Sequence, residues 1–173
     1  MNKKNLILYS AIIMAVFDLL FYMETPQPQP EGKVKAFLKK YEGKQGFAVL
    51  KVPEFLLGEL ILNDSLHMNK KSFQSFRMMI LHEQQNAFIN CSDLERELTN
   101  FLDSLKFQIL LERNQNNNER RMKIYNRDVM DSWRENVTIY ASDSTFFLFN
   151  FISDIKDRQV IRFSDHLSHQ EIF

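Results

Sequence analysis

The chain has 173 residues, with 22 Lys+Arg against 22 Asp+Glu, and is 45% hydrophobic and 13% aromatic. That even balance argues against a nucleic-acid binder, which needs a basic face to displace counterions, and the apolar content argues against an acidic disordered tail. Every glycine lies between Gly32 and Gly58, so the C-terminal two-thirds holds neither a Walker loop nor a dinucleotide fingerprint, and the lone Cys91 allows no internal disulfide and no cysteine-based zinc site.

Lys3 and Lys4 precede an apolar run from Leu6 to Met23 that only Asp18 interrupts. A basic start before a greasy core is the layout of a secretory signal, and the run is long enough as a helix to cross a ~30 Å hydrocarbon layer at ~1.5 Å per residue. No A-x-A pattern closes it, and no cysteine sits just after it, which excludes a lipoprotein anchor. Residues 1–23 therefore read as a signal peptide or membrane anchor, the alternative being an amphipathic or core helix of a cytosolic protein. Residues 24–30 contain Thr25-Pro26-Gln27-Pro28-Gln29-Pro30, a linker whose alternating prolines favour extended geometry. A single α+β domain is expected over residues 31–167, with residues 168–173 as a C-terminal tail.

Within that domain, Val34, Phe37, Leu38 and Tyr41 recur at helical spacing, with Gly43 placed to cap the helix and four lysines (33, 35, 39 and 40) on its other face. Phe47 to Val52 reads as a buried strand ended by Pro53. Pro53 then suits the first turn of a helix with Phe55, Leu56, Leu60 and Ile61 on its apolar face and Gly58 interrupting it. Phe73 to Leu81 is expected as a strand through the core. Ser92-Asp93-Leu94-Glu95 has the form of a capping box, with Ser92 as N-cap, before a helix from Asp93 to Ser104 striped by Leu94, Leu98, Phe101 and Leu102.

After that helix the period changes to two. Phe107, Ile109 and Leu111 alternate with Gln108 and Glu112, and Met122 and Ile124 with Arg121 and Lys123, on either side of Asn114-Gln115-Asn116-Asn117-Asn118, which predicts an antiparallel hairpin. A further strand is expected at Asn136 to Tyr140. Thr145 to Ile152 is apolar on both faces, as a central strand covered on each side should be. The stretch from Ile155 to Phe163 fits a short helix or an added strand equally. The order predicts a mixed, mostly antiparallel sheet with helices packed mainly on one face.

The segment Phe37-Leu38-Lys39-Lys40-Tyr41-Glu42-Gly43-Lys44-Gln45-Gly46-Phe47 resembles the opening of a Bacteroidetes exported, lipoprotein-like family, the domain of unknown function numbered four-two-five-two. Its members carry a signal peptide and then an F-x-x-K-Y-x-x-K-x-G-like exit from a helix into a strand. The layout is similar from Glu31 to about Leu167, although this chain lacks the lipobox cysteine that many members carry. The resemblance implies an exported, small, non-enzymatic domain and carries over no catalytic residue.

Candidate chemistry is sparse. His82-Glu83-Gln84-Gln85-Asn86 begins like a zincin helix, but Asn86 replaces the second histidine, which favours a polar strand end. His166 and His169 are three apart and would share a helix face as metal ligands, against a frayed, solvated terminus. Cys91 stands at a helix start, where a thiol is activated if exposed, against an inert thiol. Trp133 and Arg134, in the polar stretch Asp131-Ser132-Trp133-Arg134-Glu135 between strands, are the candidate interaction residues, because Trp and Arg dominate binding hot spots; the alternative folds Trp133 back over the sheet edge. No catalytic residue, metal ligand or cofactor is assigned.

The expected function is that of a non-enzymatic cell-envelope domain, periplasmic or membrane-tethered outside the cytoplasm, acting through protein–protein contact. Its partners are an envelope protein and, if residues 1–23 stay attached, the membrane, with no nucleic acid. A module binding a small ligand or peptide in a Phe/Met-lined cleft is the alternative, and a metal-dependent or thiol enzyme the third reading.

Overall fold

The computed structural model describes residues 32–53, 72–82, 89–115 and 120–169. The leader at 1–23, the proline linker, the helix expected after Pro53, the Glu83–Asn86 part of the zincin-like motif and the tip of the asparagine turn all lie outside those residues. The elements in chain order are α1 (Val34–Tyr41), β1 (Phe47–Lys51), β2 (Phe73–His82), α2 (Cys91–Ser104), β3 (Gln108–Gln115), β4 (Arg120–Met130), β5 (Trp133–Ser142), β6 (Thr145–Ser153) and α3 (Asp157–His169).

The six strands form one sheet in the order β1-β2-β6-β5-β4-β3. Each described pairing is antiparallel, so the parallel component of the expected mixed sheet is absent among the described strands. β6 lies between β2 and β5 because its sequence is apolar at successive positions and must be covered on both faces. Phe146 and Leu148 point to one face, where they join Val137 and Ile139 of β5, Met79 and Leu81 of β2, and the buried stripes of α1 and α2. Phe147, Phe149 and Phe151 point to the other, where Phe76, Met122, Ile124 and the α3 residues Val160, Phe163 and Leu167 meet them. Among the described helices, two cover one face and one the other, because a two-faced strand leaves no face that water can occupy cheaply.

Burying each such Leu or Phe contributes about 1.5–3 kcal/mol relative to exposure. Aromatic geometry adds to this around Phe151, whose ring stacks on Phe76 at 5.8 Å and meets the Phe163 ring edge-on at 5.3 Å. Two polar contacts seat α3 on the same face. Thr138 Oγ1 and Ser164 Oγ share a 2.7 Å hydrogen bond, and the Tyr140 hydroxyl donates to the Ser164 carbonyl.

Local differences from the sequence reading have physical causes. β1 is an edge strand of the described sheet with Leu50 48% exposed, so it is not the buried strand that its composition suggests. α2 begins at Cys91, two residues before the expected start. Its N-cap is Asn90 rather than Ser92: Asn90 Oδ1 accepts from the Asp93 amide at 2.7 Å, an equally good side-chain cap. Glu95 is consequently free of capping and turns to β4, where it pairs with Arg121 and Lys123, each at 3.1 Å. Burial pulls the Lys123 pKa down, but the adjoining Glu95 carboxylate outweighs it and holds that pKa above the ordinary lysine value. Trp133 opens β5 instead of lying between strands, because Asp131 takes the left-handed conformation (φ +48°) and closes the β4–β5 turn within two residues. At the end of α1, Gly43 (φ +75°) makes the expected stop. The stretch after Ile155 is a helix, α3.

The N-terminus of α1 carries no cap of its own. Its amides are instead met by Glu135, a fully buried carboxylate on β5. Lys33 N–H donates to Oε2 at 2.8 Å and Val34 N–H to Oε1 at 3.0 Å, while Arg127 Nη2 (2.9 Å) and Asn150 Nδ2 (3.1 Å) donate from the flanking strands. A carboxylate at a helix N-terminus also meets the positive end of the helix dipole. The chain passes so close that a Cβ on Gly32 would lie 2.5 Å from Glu135 Oε1 and 3.0 Å from its carboxyl carbon. Because four donors pin that carboxylate, it cannot swing aside at little cost. Gly32→Ala is therefore expected to destabilise the fold by about 1–3 kcal/mol and Glu135→Ala by about 3–5 kcal/mol, since the latter strands Arg127 without its counter-ion. Urea denaturation midpoints check both, and an unchanged Gly32→Ala midpoint contradicts the close approach.

Candidate functional site

Two concave sites stand out among the described residues. The first is a groove of about 320 Å³ where the start of β3, the far end of β4, the start of β5 and α3 meet, lined among others by Lys106, Ile109, Asn126, Asp128, Arg134 and Asp157. Strand alternation sends Arg134 to the α3 face, opposite to Glu135. There Arg134 Nε donates to Asp128 Oδ1 at 3.1 Å and its Nη1 to Asp157 Oδ1, while Asn126 Nδ2 reaches the same Asp157 oxygen at 3.2 Å. Asp157 sits in the first turn of α3, where a negative charge is favoured. On the opposite wall, Lys106 adopts φ +60° in the tight connection from α2, and Gln108 on β3, paired with Asn126, is exposed. An arginine oriented by two carboxylates presents a fixed cationic fork to a polar surface.

The second site is a cleft of about 420 Å³ beside the C-terminal end of α1, lined by Lys40, Tyr41, Lys44, Gln45, Phe47, Ile89 and Glu97. Glu97 of α2 accepts from Lys40 Nζ at 2.6 Å and from the Tyr41 hydroxyl at 2.8 Å. The ammonium groups of Lys40 and Lys44 lie 5.3 and 4.9 Å from the Tyr41 ring centroid. Burial, reinforced by the hydrogen bond to Glu97 and by its charge, pushes the Tyr41 phenol far above its usual range. Burial also acts to raise the Glu97 pKa, but the hydrogen bonds from Lys40 and Tyr41 and the charges of Lys40 and Lys44 prevail and hold it below the usual carboxylate range.

The sequence candidates scatter over the fold. Trp133 is half-buried and, by strand alternation, faces away from the side that Arg134 addresses, so the two side chains do not form one patch. Cys91 is buried at the first turn of α2. His166 is half-buried on α3, which also holds His169 as its last residue. Among the described residues, no group of three or more His, Cys, Asp or Glu is arranged to hold a metal ion, and no helix is long and apolar enough to cross a membrane.

No family model matches this chain, and comparisons with curated proteins and with solved structures find no match.

The residues that build these sites were legible only in part. Arg134 is visible as a polar residue beside a tryptophan. Lys40 reads from sequence as part of a solvated lysine face, Tyr41 as part of an apolar stripe, and Glu97 carries no motif. Their meeting depends on α1 and α2 crossing on the same sheet face, with Lys40 and Glu97 57 positions apart in sequence.

The two pKa displacements in the cleft set opposite ends of a pH profile. The Glu97 pKa falls on folding, so its contribution is complete above the unfolded value of about 4.3 and is lost as pH drops through the folded one. The Tyr41 pKa rises on folding, so its contribution is complete below about 10 and is lost at higher pH. Glu97→Gln is expected to lower stability by up to about 1 kcal/mol at neutral pH, given solvent screening at this part-exposed pair, with the deficit closing in acid. Tyr41→Phe is expected to lessen the alkaline decline. Urea midpoints across the pH range measure both, and a Glu97→Gln deficit of equal size at about pH 3 and about pH 7 contradicts the coupling.

Proposed function

We propose that this chain is a non-catalytic domain of the cell envelope that acts through contact with another protein, and that the Arg134 groove is its contact surface. Residues 1–23 would bring it to the envelope, either as a removed signal or as a retained tether, with the proline linker holding the domain away from the membrane. The observation that carries the contact reading is Arg134, fixed by Asp128 and Asp157 in a groove beside the exposed Gln108 of β3. An arginine whose carboxylate partners already order it loses little entropy on docking. β3, which carries Gln108, is also an edge strand of the described sheet, where backbone groups favour an added strand from a partner.

A cleft lined by Phe and Met has less support. Phe76, Phe146, Phe151, Phe163 and Met79 are fully buried in the two cores, and of the two sites above only the α1 cleft contains a phenylalanine, Phe47.

Fractionation of cells expressing the full chain tests the compartment: the protein is expected with the envelope, and a soluble cytoplasmic protein retaining residues 1–23 overturns the reading. A photo-crosslinking residue at position 108, on the Arg134 side of β3, tests the surface. A discrete adduct that Arg134→Glu abolishes is expected, and an adduct indifferent to Arg134→Glu moves the contact elsewhere.

A further inference from the structure

The cleft beside α1 has a chemistry that the protein-contact reading does not use. Its walls are apolar: the Tyr41 and Phe47 rings lie 4.6 Å apart between centroids, and Ile89 packs beside them. Its rim is charged, with Lys40 and Lys44 against the single carboxylate of Glu97. That carboxylate is already engaged by Lys40 and by the Tyr41 hydroxyl. Lys44 makes no ion pair within hydrogen-bonding distance among the described residues, and its ammonium rests over the Tyr41 ring.

Lys44 is also held in place. α1 stops at Gly43 in the left-handed conformation, and the following turn is closed by hydrogen bonds from Lys44 N–H to the Tyr41 carbonyl and from Phe47 N–H to the Lys44 carbonyl, each at 3.1 Å. The backbone therefore fixes where the ammonium stem leaves the chain relative to the apolar walls. Concave sites for small molecules occupy roughly 300–1,000 Å³, with mostly apolar walls and a few oriented polar groups. The cleft, at about 420 Å³, meets that description.

We propose that this cleft binds an amphipathic anion, a molecule with one acidic head and a short apolar chain, of which a medium-chain fatty acid is the simplest. The chain lies against Tyr41, Phe47 and Ile89, and the head pairs with Lys44. A cationic amphiphile would meet two ammonium groups at the rim and is disfavoured. A fully polar anion leaves the apolar walls unfilled. The proposal stands on the cleft alone and does not depend on the Arg134 groove.

The test is a titration of the isotope-labelled full chain with decanoate in detergent-free buffer, below the concentration at which decanoate self-associates. Binding is followed by backbone amide NMR shifts, with decyltrimethylammonium as the probe of opposite charge. The expected result is saturable decanoate binding with shifts at Tyr41, Phe47 and Ile89, and little response to the cation. Charge variants then move affinity in opposite directions. Lys44→Glu weakens decanoate binding and Glu97→Gln, which removes the like charge and releases Lys40, strengthens it, each by on the order of fivefold for partly screened charges. Both positions are solvent-accessible, and amide spectra of the free variants report whether each still folds. No saturable binding, shifts centred elsewhere, equal affinity for both amphiphiles, or the same change in both variants overturns the proposal. Arg134→Glu is expected to leave decanoate affinity unchanged, which separates this site from the contact surface.

Discussion

The fold depends on a carboxylate that is out of contact with water. Glu135 sits in β5 with donors on three sides: Arg127 from β4, Asn150 from β6 and the first amides of α1. Isolated, such a group would cost several kcal/mol to bury. Surrounded, it ties the helix that precedes the sheet in sequence to the middle of the sheet, across more than a hundred residues. The requirement reaches the glycine just before α1, because the backbone must come within a distance that a side chain forbids. α1 is short, at eight residues, and helices of that length have little stability of their own. Its apolar stripe makes it adhere to the sheet, and Glu135 determines where along the sheet its first turn sits.

That placement organises the face on which the α1 cleft forms. With the N-terminus of α1 held over β5, its C-terminal turn comes to lie against α2, where Lys40 and Tyr41 meet Glu97. The helix ends at Gly43, and the chain turns into β1 with Phe47 beneath the Tyr41 ring. The cleft is thus the consequence of one helix being fixed at its start and stopped sharply at its end. The Arg134 groove belongs to the other face and is ordered by different groups, chiefly the Asp157 carboxylate at the head of α3. Two surfaces of different chemistry, one polar and shallow and one apolar with a cationic rim, therefore stand on opposite sides of one sheet.

Much of this architecture is legible in the residues. The stripes of Val34 to Tyr41 and Leu94 to Leu102 mark their helices, the alternation around Ile109 and Met122 marks a hairpin, and the unbroken apolar run at Thr145 to Ile152 marks a strand covered twice. The last observation already requires a helix on each face, a consequence that the expectation of helices mainly on one face did not draw. What stayed hidden is polar and long-range. Local patterning registers how a residue relates to its neighbours three or two positions away; it says nothing of Glu135 meeting Val34 or of Glu97 meeting Tyr41. Asn90 and Ser92 show the same limit at short range, since both residue types can cap a helix and Asn90 is the one that does. The exposure of β1 follows from its place at the end of the described sheet order, which composition cannot convey.

The sheet's α1 face and the cleft on it both depend on Glu135 holding α1 in place. Hydrogen exchange of the Lys33 and Val34 amides tests it most directly, because a short helix with an ordinary start frays and exchanges its first amides quickly. If the buried carboxylate carries the junction, these two amides exchange as slowly as those of β5 and β6, and become fast in Glu135→Ala under conditions where the strands remain protected. Fast exchange at Lys33 and Val34 in the unaltered chain, with the strand amides slow, would contradict the account.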